Sequence, residues 1–126
     1  MSLIARFAVT GVEPREVEGV DAAWVGAMTM YKTFAGGIAG TSVLLFVASG
    51  EVEGERSYFA AERITGSVDG GAEGSVTIHH GGLESSPESW FGHVVPHSGS
   101  GSFEGWAGTA KIEHDADGAY FVIDLS

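Results

Sequence analysis

The chain has 126 residues, 20 of them glycine, no cysteine, and a formal charge of −11 from 17 acidic against 6 basic side chains. That length makes one domain, 1–126, able to bury roughly two-thirds of its unfolded surface without help from a metal or a disulfide. The missing cysteine excludes disulfide scaffolds, thiol nucleophiles and thiolate metal sites, and the negative charge opposes nucleic acids and anionic membrane surfaces, which need a positive field.

In chain order, residues 3–9 read as a first strand, followed by an acidic connection through Glu13, Pro14, Glu16, Glu18 and Asp21. Residues 24–35 read as a second strand. Six more candidates follow at 40–48, 57–67, 73–80, 89–95, 107–114 and 119–125, parted by Gly36-Gly37, Ser49-Gly50, Asp69-Gly70-Gly71, Gly81-Gly82, the glycine-serine stretch 98–102 and Asp117-Gly118. The run from Val43 to Ala48 falls far short of the ~20 apolar residues that cross a bilayer, and MSLIARFAVTGV lacks the shape of a secretory signal. The expectation is a soluble, cytoplasmic, all-β protein with neither a nucleic-acid nor a membrane partner.

Eight strands joined by short connections favour antiparallel neighbours, and eight suffice to close an up-and-down barrel without exposed edges. A two-sheet sandwich is the rival. Parity tests two hairpins. With Asp117-Gly118 as a two-residue type I′ turn, His114 faces Phe121, Ile112 faces Ile123 and Lys111 faces Asp124. In the earlier hairpin Val76, Ile78 and His80 share one face while Ser75, Thr77 and His79 share the other. Pairing Ile64 with Val76 needs a three-residue connection at Asp69-Gly70-Gly71 and sets His80 opposite Ala60; a five-residue connection sets it opposite Glu62. Either way Tyr58, Glu62 and His80 point to one interior, and His79 points out.

The segments KTFAGGIAGTS, YFAAERITGSV, GSVTIHHGG and HSGSGSFEGWAGTAKIEH, in that order, cover most of the chain after its acidic loop. This succession resembles an uncharacterised bacterial domain-of-unknown-function family whose fold is similar to the allene oxide cyclase barrel. The resemblance implies an eight-stranded antiparallel, calycin-like barrel and points to Glu62 and His80, within its recurrent ER and H-G segments. Related barrels include cyclases acting on reactive lipids. The HHGG wording departs from a polar residue followed by His.

A carboxylate and an imidazole facing one interior can divide proton donation and acceptance, which makes Glu62 and His80 the candidate catalytic pair, with Tyr58 orienting a substrate oxygen. The competing reading is a buried polar cluster whose members only satisfy one another. A metal site recruiting His80 with His93, His97 or His114 lacks compact ligand spacing, so neither metal nor other cofactor is expected. HSGSGSFEG has no P-loop Lys-Ser/Thr ending and reads as a structural turn. Trp24, Trp90, Trp106, Phe91 and Phe103 are either core or pocket aromatics. Candidate ligand contacts are Tyr58, Glu62, His80, Trp106 and a rim residue, His114.

Three functions follow. The first is a barrel binding a small apolar or amphipathic molecule in its lumen. The second is a cofactor-independent cyclase or isomerase working through Glu62 or His80. The third is a structural oligomer with a filled lumen. Because both faces of the run from Val43 to Ala48 are apolar, its outer face is expected to join another copy unless the N-terminal loop covers it.

Overall fold

The computed structural model describes residues 1–126. Eight antiparallel strands close a barrel in sequence order: β1 Ser2–Arg15, β2 Val25–Gly36, β3 Ala39–Ser49, β4 Ser57–Ser67, β5 Gly74–Leu83, β6 Phe91–Val94, β7 Gly108–Asp115 and β8 Gly118–Leu125. β1 pairs with β8 from Ser2 to Phe7, which shuts the cylinder and leaves no two-sheet opening. The closed barrel expected from strand count, calycin-like as the resemblance implies, is the fold, and the sandwich is not.

The strands depart from their expected limits in instructive ways. β1 continues to Arg15 because residues 11–15 pair with 27–31 of β2 beyond an irregularity at Thr10. β8 reaches only as far as Phe7, so this outer length of β1 has a partner on one side alone, where Pro14 is tolerated. β5 runs through Gly81-Gly82 to Leu83 instead of stopping there. Gly82 has φ +150°, and a Cβ on it would collide with Trp90, so the glycine admits the indole against the strand. β6 shrinks to four residues, preceded by a 3₁₀ turn at Pro87–Ser89.

Registers test the parity arguments directly. Ile64 pairs with Val76 and Ala60 with His80, as the shorter-connection alternative requires, although the ladder ends at Gly66–Gly74 and leaves a longer link. The β7–β8 hairpin is a correction. Ile112 faces Phe121, His114 faces Ala119 and Lys111 faces Val122, so the turn is Ala116-Asp117 and the ladder is displaced by two residues. The cause is Asp115. Its Oδ1 accepts the Asp117 backbone N–H at 2.8 Å, closing the turn one residue early, while Arg6 grips the same carboxylate at 2.8–2.9 Å. The facing sets are unchanged, since a shift of two preserves parity.

The two ends of the barrel differ. At one end lie the β2–β3 and β4–β5 hairpins and the long β6–β7 connection, 95–107, which carries a 3₁₀ turn at Gly101–Phe103. This connection lies against the start of β5: Ser100 N–H donates to the Ser75 carbonyl and the Ser75 N–H to Ser100 Oγ. Gly101, at φ +56°, sits where a Cβ would meet the Glu73 carbonyl. Phe103 is thereby driven into the lumen, fully buried, edge-on to Trp106 at 4.9 Å. HSGSGSFEG is thus a plug. Ile38, Ile64, Val76, Ile78, Val94 and Ile123 fill the space above it.

On the outer wall Val43 and Leu45 are exposed, so the N-terminal connection does not cover them. No helix is long and apolar enough to cross a membrane.

Candidate functional site

Alternation decides which side chains enter the open half of the lumen. Met28, Met30 and Lys32 come from β2, Ser42, Leu44 and Phe46 from β3, Tyr58 and Glu62 from β4, and His80 from β5. Lys32 pairs with Ser42 across β2–β3. Glu62 pairs with Leu44 on one side and Ile78 on the other, and is therefore diagonal to both Ser42 and His80. A side chain as long as Glu spans that diagonal.

The resulting cluster is continuous. Lys32 Nζ donates to Glu62 Oε1 at 2.9 Å, and Ser42 Oγ donates to Oε2 at 2.7 Å. His80 Nε2 lies 2.8 Å from Oε1, and His80 Nδ1 lies 3.0 Å from the Tyr58 hydroxyl. Glu62 is 0% exposed, His80 3% and Lys32 4%. No buried side-chain nitrogen or oxygen lacks a partner.

Protonation follows from these contacts. Burial alone would raise the Glu62 carboxyl, but the His80 hydrogen bond and the Lys32 charge outweigh it and hold the group below its ordinary range. Burial lowers His80 despite Glu62 beside it, keeping the imidazole neutral at neutral pH. Burial also lowers Lys32, opposed by the Glu62 charge and hydrogen bond. Tyr58 is pushed up to about 12 by burial and by the Glu62 charge. An ionised carboxylate only accepts, so neutral His80 donates from Nε2 to Glu62 and accepts the Tyr58 proton at Nδ1. The chain of donors runs Tyr58 to His80 to Glu62, with Lys32 as counter-ion. The cluster is net neutral.

Above it lies a cavity of about 460 Å³. Its walls are Phe7, Val9, Met28, Met30, Leu44, Phe46, Ile112 and Ala119, its floor carries Lys32, Tyr58 and His80, and its mouth is ringed by Arg56, Ser57, Glu84, Trp90 and His114. Tyr58 stacks on Phe46 at 5.0 Å, which fixes the phenol at the floor. Lys32 Nζ stands 3.9 Å from the centre of the Phe7 ring and 5.1 Å from that of Phe121, so aromatic faces solvate the part of the ammonium that Glu62 does not. At the mouth Trp90 donates Nε1–H to the Leu83 carbonyl at 2.6 Å and meets His114 edge-on at 5.5 Å.

Of the residues singled out from sequence, Tyr58, His80 and His114 border this cavity. Glu62 belongs to the cluster but stands behind it, sealed by Lys32, Ser42 and His80. Trp106 lies elsewhere, against Phe103 in the plugged end. Trp90 is a cavity aromatic, whereas Phe91 and Trp24 are exposed. His79 faces out, its ring 5.7 Å from that of His93 on β6. The structure brings together no group of three or more His, Asp or Glu side chains suited to hold a metal ion.

Lys32 and Ser42 were not among the candidates. The signal was present in Met28, Met30, Lys32 and Phe34, an alternating set in which one cation shares the inward face with apolar neighbours.

Among solved structures, the chain is similar to a protein of unknown function from Shewanella oneidensis MR-1, with 26% identity, a TM-score of 0.80, and coverage of 100% of this chain and 98% of that one. That structure is described as belonging to the DUF3224 family. No curated protein matches. The family model described as protein of unknown function (DUF3224) matches residues 3–125, nearly the whole barrel, and the chain therefore belongs to that family.

Proposed function

We propose that the barrel binds a small apolar or amphipathic molecule whose tail lies along the cavity wall and whose polar head meets Lys32, Tyr58 and His80. One observation carries this reading: a cavity of about 460 Å³, mostly apolar in its walls, ends on a floor of hydrogen-bonding groups. Binding sites for small molecules have this composition. The neutral floor favours an uncharged head, because a carboxylate ligand would bring a second anion close to Glu62 with only one cation between them.

Titration with an uncharged solvatochromic dye such as Nile red tests the proposal. Saturable one-to-one binding is expected, with displacement by medium-chain alcohols and loss in Ala119→Trp, which fills the cavity while leaving the plugged end intact. Dye that stays in water with the native chain would overturn it.

A second reading, a cofactor-independent cyclase or isomerase, is favoured by the Tyr58–His80–Glu62 series of hydrogen bonds at the cavity floor. In it Tyr58 or His80 exchanges a proton with bound substrate, while Glu62 positions His80 and balances its charge. Tyr58→Phe then retains binding but loses turnover. Equal turnover in both forms would remove this reading.

Association of copies through the exposed face from Val43 to Ala48 belongs to the same proposal. Light scattering coupled to size-exclusion chromatography decides it, and a stable monomer contradicts it.

A further inference from the structure

Lys32 is an unusual group to find at the bottom of an apolar cavity. It is one of only two lysines in the chain, the other being Lys111 on the outer side of β7. Lys32 borders the cavity, and its amine takes a single oxygen partner, Glu62 Oε1 at 2.9 Å, and otherwise rests against the faces of Phe7 and Phe121. Strands β2 to β4 therefore hold a primary amine, a carboxylate counter-ion and an apolar chamber open to solvent at one end.

We propose that Lys32 captures an apolar aldehyde from the cavity as a protonated imine, with Glu62 as its counter-ion. The inference rests on the reading of the cavity as a binding site and names the ligand class that its floor selects.

The step balances without a further reactant. Glu62 Oε1 takes one proton from the ammonium across their hydrogen bond, and the freed amine lone pair forms the C–N bond to the aldehyde carbon. Proton transfer from nitrogen to the former carbonyl oxygen gives a neutral carbinolamine. The carboxyl proton returns to that hydroxyl, the C–O bond breaks, and water leaves toward the mouth as the C=N⁺ bond forms. The products are one iminium and one water from one ammonium and one aldehyde. The charge on Lys32 is the same before and after, so Glu62, with Ser42 and His80 bound to it, already compensates the product's charge. Burial, which lowers the Lys32 ammonium, eases the first transfer. The wall made by Met28, Met30, Leu44 and Ile112 matches an alkyl or polyene tail.

The test uses the full chain with decanal and sodium cyanoborohydride, followed by peptide mass mapping, alongside decanol as a non-covalent partner read by dye displacement. Reductive alkylation is expected at Lys32 in excess of Lys111 and the α-amine by about tenfold or more, because the cavity raises the local concentration of carbonyl beside one amine. Lys32→Arg keeps a cation beside Glu62 but lacks a primary amine; it should give no adduct at position 32, while labelling of Lys111 and the α-amine stays as in the native chain. Adduct spread evenly over Lys32, Lys111 and the α-amine, or absent from Lys32 while decanol binds, would overturn the imine and leave the binding site standing. Failure of both decanol and decanal to displace dye would overturn both together.

Discussion

The two halves of the lumen share one wall and one strand order but have opposite contents. In the plugged half Ile38, Ile64, Ile78 and Ile123 meet around Phe103 and Trp106, with all six at most 7% exposed. In the open half Met28, Met30, Leu44 and Phe46 stand around an unfilled volume, and Ala119 and Ala48 leave the bore wide toward the mouth. The polar cluster of Lys32, Ser42, Glu62, His80 and Tyr58 sits at the boundary. A closed barrel of eight strands therefore does not determine whether it is solid or hollow. Side-chain volume at inward positions, and a loop able to fold in from one end, determine it locally. Apolar burial concentrates in the filled half, around Phe103 and Trp106, and the open half keeps its cavity.

Perturbing each region sharpens this division. Phe103→Ala should cost the most, about 4 kcal/mol in urea denaturation, because the plug leaves a cavity that a closed wall cannot collapse around. Lys32→Met should cost about 3 kcal/mol, since the Glu62 carboxylate would stay buried without its cation. Replacing both, with Glu62→Gln added, should recover part of that loss.

The pH response of His80 should be smaller and has a definite sign. The folded chain holds His80 below its ordinary 6.5, mainly through burial, so on acidification the unfolded chain takes up this proton first. The stability due to neutral His80 is complete above the ordinary value and is lost as pH falls from it toward the depressed folded value. Melting temperatures should show the gap between native chain and His80→Gln shrinking from about pH 7 to about pH 5. A gap that widens on acidification would mean that His80 is protonated in the fold. Least costly should be Met30→Ala, at about 1 kcal/mol, because its side chain borders open space. A cost equal to that of Phe103→Ala would erase the contrast between the halves.

Much of this was legible in the sequence. Alternation through Val76, Ile78 and His80, and through Tyr58, Ala60, Glu62 and Ile64, brought Tyr58, Glu62 and His80 to one interior once an odd-length connection paired Ile64 with Val76, and left His79 outside because neighbours in a regular strand point to opposite faces. Lys32 obeyed the same rule but lay in a strand whose inner face was otherwise apolar, and charge at an inward position contradicts the usual reading of burial. The β7–β8 register depended on Asp115 and Arg6, which meet only after β1 returns to β8. Trp106 illustrates the remaining limit: it lies in the β6–β7 connection, where no strand alternation tells which end of the lumen a side chain enters. The plug is formed by a connection whose path is fixed by glycine backbone contacts with β5, a long-range feature that no local pattern encodes.

The most direct measurement uses the three methionines. Met28 and Met30 line the cavity, while Met1 is exposed at the chain start and serves as an internal reference. In a methyl NMR titration of the full chain with decanol, the Met28 and Met30 signals should shift in saturable fashion while Met1 stays fixed. If all three move together, or none moves up to the solubility limit of the alcohol, the open half of the barrel is not a binding chamber.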